Sequence, residues 1–205
     1  QRLELSKHNE LRCQLDIKLN SFISKCGFTP VPIPYFSTKG KASIHKLRKW
    51  INIIKPNGII LSGGSDIGKN KIRDVSEKLL INISIRKNIP LIGICRGMQL
   101  IGNYFNTKLI KVKNHVNQKH NILSRSKKLK VNSFHNYSLK DCPKNFKILF
   151  HSEDGHIEAI HSKNKKIYAC MWHPERNKKF EKWDIKIFKS FFNKKKFKNK
   201  LFYEN

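Results

Sequence analysis

The sequence predicts an α/β protein, with a doubly wound, mostly parallel sheet followed by an antiparallel or mixed extension toward the C-terminus. Three observations lead there. Two short apolar runs, at 58–61 (GIIL) and 90–94 (PLIGI), carry no polar residue, as strands covered on both faces do. Each ends in a glycine-bearing turn, SGG or CRG. The stretches around them show helical spacing, so helix and strand alternate.

Taken in order, residues 8–26 place Leu11, Leu15, Ile17, Leu19, Phe22 and Ile23 at helical spacing, and Gly27 is a stop signal. Residues 28–36 (FTPVPIPYF) are extended, because their prolines forbid a helix. Helices are expected at 42–54 and 70–87, and again from the turn CRG onward, with Met98, Leu100, Ile101 and Tyr104. In the second half KLKVNSF, NFKILFH, HIEAIH and KIYACMWH read as short strands between turns, and a last helix covers 181–192. An open sheet of this flavodoxin-like kind places its active site at the carboxyl ends of the parallel strands, where both glycine turns fall.

The 205 residues suffice for one substantial core, and a single domain over 1–205 is expected, with a basic tail at 193–205. Apolar residues make up 39%, a globular composition, and no run is long enough to span a bilayer. The start, QRLELSKHNE, lacks the order of a signal peptide, and its opening Gln suggests a lost N-terminus that includes a first strand. The cysteines, Cys13, Cys26, Cys95, Cys142 and Cys170, are odd in number and form no C-x-x-C pair, which points away from disulfides and toward a reducing cytoplasm. The net charge of +29 is spread along the chain, and only residues 191–200 (FFNKKKFKNK) form a basic run. It therefore reads as a solvated basic surface, and specific nucleic-acid binding is not expected.

The strongest chemical signal is the turn Gly93-Ile94-Cys95-Arg96-Gly97. A sharp strand-to-helix turn exposes a nucleophile, and the helix N-terminus favours a thiolate. Trp172-His173-Pro174-Glu175 supplies the rest. A Cys nucleophile needs a His to move its proton, and that His needs an acceptor to fix its tautomer. Cys95, His173 and Glu175 are thus the candidate catalytic residues. Gly63 and Gly64, in the turn Leu61-Ser62-Gly63-Gly64-Ser65-Asp66, and the N–H of Arg96 are candidate oxyanion donors.

SGGSDIG, GICRGMQ and MWHPE, in that order, resemble the class I glutamine amidotransferase superfamily over nearly the whole chain. The resemblance implies a Cys95–His173–Glu175 triad and a γ-glutamyl thioester on Cys95. Residues 131–136 (VNSFHN) resemble the V-N-S-x-H segment of the stand-alone γ-glutamyl hydrolases, and 154–159 (DGHIEA) resembles their D-G-x-I-E-A strand. SGGSDIG with Arg73, Asp74 and Glu77 is most similar to the γ-glutamyl-CDP-amidate hydrolases. This similarity implies that Gln99, Ser133, Phe134 and His135 hold the glutamyl head group of a small-molecule γ-glutamyl amide, without metal or organic cofactor. Tyr137 departs from the pattern, which usually has Gln there. Two other readings stay open: a glutaminase subunit supplying ammonia to a partner synthetase, and a non-catalytic module binding nucleic acid.

His115 and His120 lie in a polar stretch (KNHVNQKHN) expected to be a loop bordering the active-site mouth; it holds no Asp or Cys, so no metal site is expected. Cys170 and His173 form C-x-x-H, but the two-residue period of a strand turns them to opposite faces. Cys13, Cys26, Cys142 and Cys170 are expected to be structural, and Trp50 and Trp183 to be core residues of their helices. The tail from Asn193 is expected to fray.

Overall fold

The computed structural model describes residues 2–36 and 41–193. The basic tail beyond Asn193 lies outside the described residues.

The chain opens with a hairpin, β1 (Arg2–Leu5) against β2 (Leu11–Gln14), apart from the main sheet. The helix expected over 8–26 is therefore shorter: α1 spans Ile17–Lys25. Asp16 sets its start, its side chain accepting from the Lys18 N–H at 2.8 Å, and Gly27 follows its end at φ 85°. The proline-rich stretch forms no regular element. It leads past the undescribed 37–40 to α2 (Lys41–Ile54), β3 (Ile59–Leu61), α3 (Lys71–Lys87), β4 (Leu91–Ile94) and α4 (Arg96–Tyr104).

Next come β5 (Leu109–Lys111), β6 (Val116–Leu123), β7 (Lys128–Phe134), β8 (Tyr137–Leu139), β9 (Phe146–Ser152), β10 (Ile157–Ser162), β11 (Ile167–Cys170) and α5 (Lys182–Phe192). The main sheet has the order β3-β4-β11-β10-β9-β6-β7, and β5 pairs separately with β8. Parallel pairing joins β3 to β4 and β4 to β11; the rest of the main sheet is antiparallel. The antiparallel extension is thus larger than the parallel part it grows from.

Helices cover both faces of the parallel part. On one face Ile92, Ile94, Tyr168 and Cys170 pack with Phe22 of α1 and Phe188 of α5. On the other, Leu91, Ile167 and Ala169 pack with Leu80 and Ile81 of α3 and Leu100 and Ile101 of α4. β4 is buried at every position, which is why it reads as an unbroken apolar run. Burying each of these large side chains stabilises the fold by roughly 1.5–3 kcal/mol. Two glycines let α4 dock closely: a Cβ at Gly93 would lie 2.7 Å from the Gly97 carbonyl carbon, and one at Gly97 would overlap the Leu61 carbonyl.

The stretch expected to be a polar loop is largely strand β6, paired with β7 and β9. The register shifts between Val116 and Gln118, and Asn117 between them sits at φ 54°.

Candidate active site

Cys95 sits between the carboxyl end of β4 and the first residue of α4. Its backbone is held at φ 51°, ψ −107°, a conformation that a non-glycine residue adopts only under constraint. The Cys95 N–H donates to the Cys170 carbonyl at 2.8 Å, and the Cys95 carbonyl accepts from the Gln99 N–H at 3.1 Å. The elbow is tied to β11 on one side and to α4 on the other.

β11 also delivers the histidine. His173 lies just past the strand, and Pro174–Arg176 forms one 3-10 turn that carries Glu175 back toward it. His173 Nδ1 and Glu175 Oε1 are 2.6 Å apart, and both residues are buried. Burial pulls the His173 imidazole toward its neutral form, but hydrogen bonding with Cys95 and Glu175 outweighs it and raises the pKa to about 9. Cys95 and Glu175 thus both favour the protonated imidazole of His173, and the Glu175 contact is a short hydrogen bond. Glu175 Oε2 has no hydrogen-bond partner among the described residues.

Gly63 faces this set. A methyl group there would overlap His173 Cε1, so the imidazole rests against bare backbone. Beneath the turn lies a buried charge cluster. Arg96 pairs with Asp74 and Glu77, and Arg73 Nε donates to Glu77 Oε1 at 2.8 Å. Arg73 also donates to the carbonyls of Ser62 at 2.8 Å and Gly63 at 3.1 Å, and the Gly68 N–H donates to Asp74 Oδ2 at 2.8 Å. Arg73 thus braces the Ser62–Gly63 turn directly, while the Arg96 side chain is committed to Asp74 and Glu77.

The head-group candidates divide. Gln99 Nε2 donates to the Tyr137 carbonyl at 2.9 Å, and the buried Ser133 hydroxyl donates to the His115 carbonyl at 2.6 Å. Phe134 lies edge-on to His173, ring centres 5.8 Å apart, with the Arg176 guanidinium 4.7 Å from its own ring centre. His135 is buried in a cluster with His115 and Glu158. Position 137, where Tyr replaces the usual Gln, contributes a backbone carbonyl, which any residue supplies.

Sequence reasoning passed over Asn132. Its Oδ1 accepts from the His173 N–H at 2.9 Å, and its Nδ2 donates to the His173 carbonyl at 2.7 Å. The V-N-S segment pointed to this strand, but no local pattern tells which of its polar side chains turns toward His173.

Of the other cysteines, Cys26 and Cys170 are buried, Cys142 is half-buried and Cys13 is exposed; all are free thiols. Burial pushes the Cys26 thiol up to about 12 and Cys170 well above its ordinary value. Trp50 and Trp183 pack at the edges of the two cores. An apolar cavity of about 470 Å³ lies elsewhere, between α1, the proline-rich stretch and α2, and none of Cys95, His173 and Glu175 lines it.

The profile of the class I glutamine amidotransferases matches residues 29–194. The chain belongs to that family. It is 36% identical over 172 residues to the Gamma-glutamyl-CDP-amidate hydrolase of Campylobacter jejuni, covering 81% of this chain and 80% of that one. It is 34% identical over 134 residues to a glutamine-hydrolyzing GMP synthase subunit of Methanosphaera stadtmanae, covering 61% and 68% respectively. In structure it resembles a glutamine amidotransferase from Methylobacillus flagellatus, with a TM-score of 0.57 at 12% identity over 78% of this chain and 65% of that one. A mixed sheet with helices on both faces is thus the architecture of an amidotransferase. No helix of the described residues is long and apolar enough to cross a membrane.

Proposed function

We propose that the protein is a free-standing hydrolase that cleaves a γ-glutamyl amide through a thioester on Cys95. A γ-glutamyl nucleotide amidate of the CDP type is the proposed substrate class. The observation that carries this reading is the 2.6 Å pair of His173 and Glu175, with the protonated His173 further favoured by a cysteine at a constrained strand-to-helix turn. Relatedness to a hydrolase of that name supports the substrate class. A net charge of +29 also suits a leaving group that carries phosphates.

The reaction is a double displacement. His173 Nε2 takes the Cys95 proton, giving a thiolate–imidazolium pair stabilised by Glu175. The sulfur attacks the γ-carbonyl carbon, and the oxyanion is held by backbone N–H groups near Gly64 and at Arg96. Each such donor is worth about 10²–10³ in rate. As the C–N bond breaks, the His173 imidazolium protonates the departing amine, leaving a γ-glutamyl thioester. His173 then removes a proton from water, which attacks the thioester. Glutamate leaves and the proton returns to the Cys95 sulfur. Neither step calls for a metal or organic cofactor. A chain with free thiols at Cys26, Cys95, Cys142 and Cys170 is suited to a reducing cytoplasm.

A second reading rests on the similarity to the GMP synthase chain: a glutaminase subunit passing ammonia to a partner synthetase. Glutamate release separates the two. The purified chain and its Cys95→Ala variant are offered glutamine, γ-glutamyl-γ-aminobutyrate and a γ-glutamyl nucleotide amidate. Fast, Cys95-dependent turnover of the amidate supports the hydrolase. Slow turnover of glutamine alone favours the glutaminase, and no Cys95-dependent release from any of them sinks both.

A further inference from the structure

Outside the proposed active site, a second group of chemistry-bearing side chains is assembled from three parts of the antiparallel extension. His115 enters β6, His135 leaves β7, and Glu158 lies in β10, and all three are buried. We propose that His115 Nδ1, His135 Nε2 and Glu158 Oε1 bind a divalent transition-metal ion of the zinc type, leaving a fourth position for water.

The spacing is the first argument. His115 Nδ1 is 3.3 Å from His135 Nε2 and 3.6 Å from Glu158 Oε1, and His135 Nε2 is 3.3 Å from Glu158 Oε1. Ligands at zinc bond lengths of about 2.0–2.2 Å in a tetrahedron stand roughly 3.3–3.6 Å apart. The triangle has the edges of one face of such a tetrahedron. Two imidazoles and a carboxylate also form a ligand set suited to zinc. His120 Nε2 lies 3.4 Å from the same Glu158 oxygen, outside the triangle.

Proton accounting is the second. His135 Nδ1 lies 3.1 Å from the Tyr137 carbonyl, which can only accept, so Nδ1 carries the hydrogen and Nε2 presents a lone pair. His115 Nε2 lies 3.0 Å from the Asp154 carboxylate, which likewise fixes the hydrogen on Nε2 and leaves Nδ1 bare. Two nitrogen lone pairs and a carboxylate oxygen then converge with no hydrogen between them. Glu158 Oε1 meets only the ring nitrogens of His115, His120 and His135, at 3.3–3.6 Å, and Glu158 Oε2 is buried without a hydrogen-bond partner among the described residues, an arrangement that is costly for an ionised group. One proton could bridge two of the three atoms, whereas one cation satisfies all three.

The surroundings match a metal site's outer contacts. Ligating histidines donate their other N–H to a carboxylate or a carbonyl, as His115 does to Asp154 and His135 to Tyr137. Ser152 Oγ in turn donates to Asp154 Oδ1 at 2.5 Å. Such an ion would pin β6, β7 and β10 together and fix the segment whose Asn132 grips His173. Its role is positional, and binding is read without any activity assay.

The full chain, stripped of metal with a chelator, is titrated with Zn²⁺ by calorimetry and with Co²⁺ by absorption spectroscopy. One equivalent should bind, raise the Tm and give a cobalt spectrum of nitrogen and oxygen ligands without thiolate charge transfer. Glu158→Gln should weaken Zn²⁺ binding at least 100-fold. Asp154→Asn, whose side chain is 53% exposed and should fold in any case, should weaken it about 10–100-fold. Cys95→Ala should leave it unchanged. Failure of the wild-type chain to bind one equivalent overturns the proposal. So does binding lost in Cys95→Ala, or binding that Asp154→Asn leaves intact.

Discussion

The side-chain amide of Asn132 brackets the backbone of His173, accepting from its N–H at 2.9 Å and donating to its carbonyl at 2.7 Å. β7 thereby grips the residue that follows β11, although β10, β9 and β6 lie between the two strands in the sheet. Asn132 also donates to Asn177 Oδ1 at 2.9 Å, which closes the far side of the 3-10 turn. Replacing it with Ala leaves a buried N–H and C=O without partners, at a cost of about 1–3 kcal/mol. Asn132→Ala should lower the unfolding free energy measured in urea by that amount and reduce kcat at least tenfold. Asn132→Asp keeps the acceptor and loses the donor, and should fall between.

Gly63 tests the packing of the imidazole. Because a methyl group there overlaps His173 Cε1, Gly63→Ala must push the ring away from its place between Cys95 and Glu175. A displacement near 1 Å at reacting atoms can cost about 10²-fold in rate. We expect kcat to fall by that order while the Tm changes little. A kcat within twofold of the parent would show that the ring has room to spare.

Two groups give stability the same pH dependence. Burial pushes the Asp184 carboxyl from 3.8 up to about 8, with Glu181 and Glu175 adding to it and the Trp172 N–H bond opposing. His173 is raised from 6.5 to about 9. In both, the folded state holds the proton more tightly than the unfolded chain. The stability each contributes is complete below its ordinary value and is lost as pH rises through the folded one. The unfolding free energy measured in urea should therefore drop from pH 7 to pH 9, by on the order of 1 kcal/mol per pH unit. Asp184→Asn, neutral throughout, should flatten the part of that slope below pH 8.

Glu77 accepts from both Arg73 and Arg96 in the interior. Removing one member of a buried charge pair costs about 3–5 kcal/mol, because the partner stays buried. Glu77→Ala should lose at least that much in chemical denaturation, and a loss below 1 kcal/mol would mean that water reaches the cluster.

Where packing imposes a simple period, the sequence could be read. The unbroken run of β4 and the glycines that let α4 approach it identified the elbow at Cys95 without any long-range information. The hairpin β1–β2 was misread because Leu11 happens to fall in phase with the helix that begins after Asp16, while every residue of β2 is exposed and none marks a buried face. β6 was misread for the opposite reason. Its partly covered positions carry His120 and Asn121, so no apolar alternation marks it as a strand. Asn132 and the His115–His135–Glu158 group depend on contacts between residues 20 to 45 positions apart, which no local pattern encodes.

The charge cluster under the glycine turn has an evolutionary consequence. Arg73 and Arg96 balance Asp74 and Glu77 in the interior, joining α3 to the first residue after the nucleophile. Losing the charge of any one of the four leaves a buried partner unbalanced, so a change of charge at one position alone passes through a destabilised intermediate. The positions should be inherited as a block. Relatives that carry another residue in the place of Arg96 should differ in the acidic pair of α3 as well.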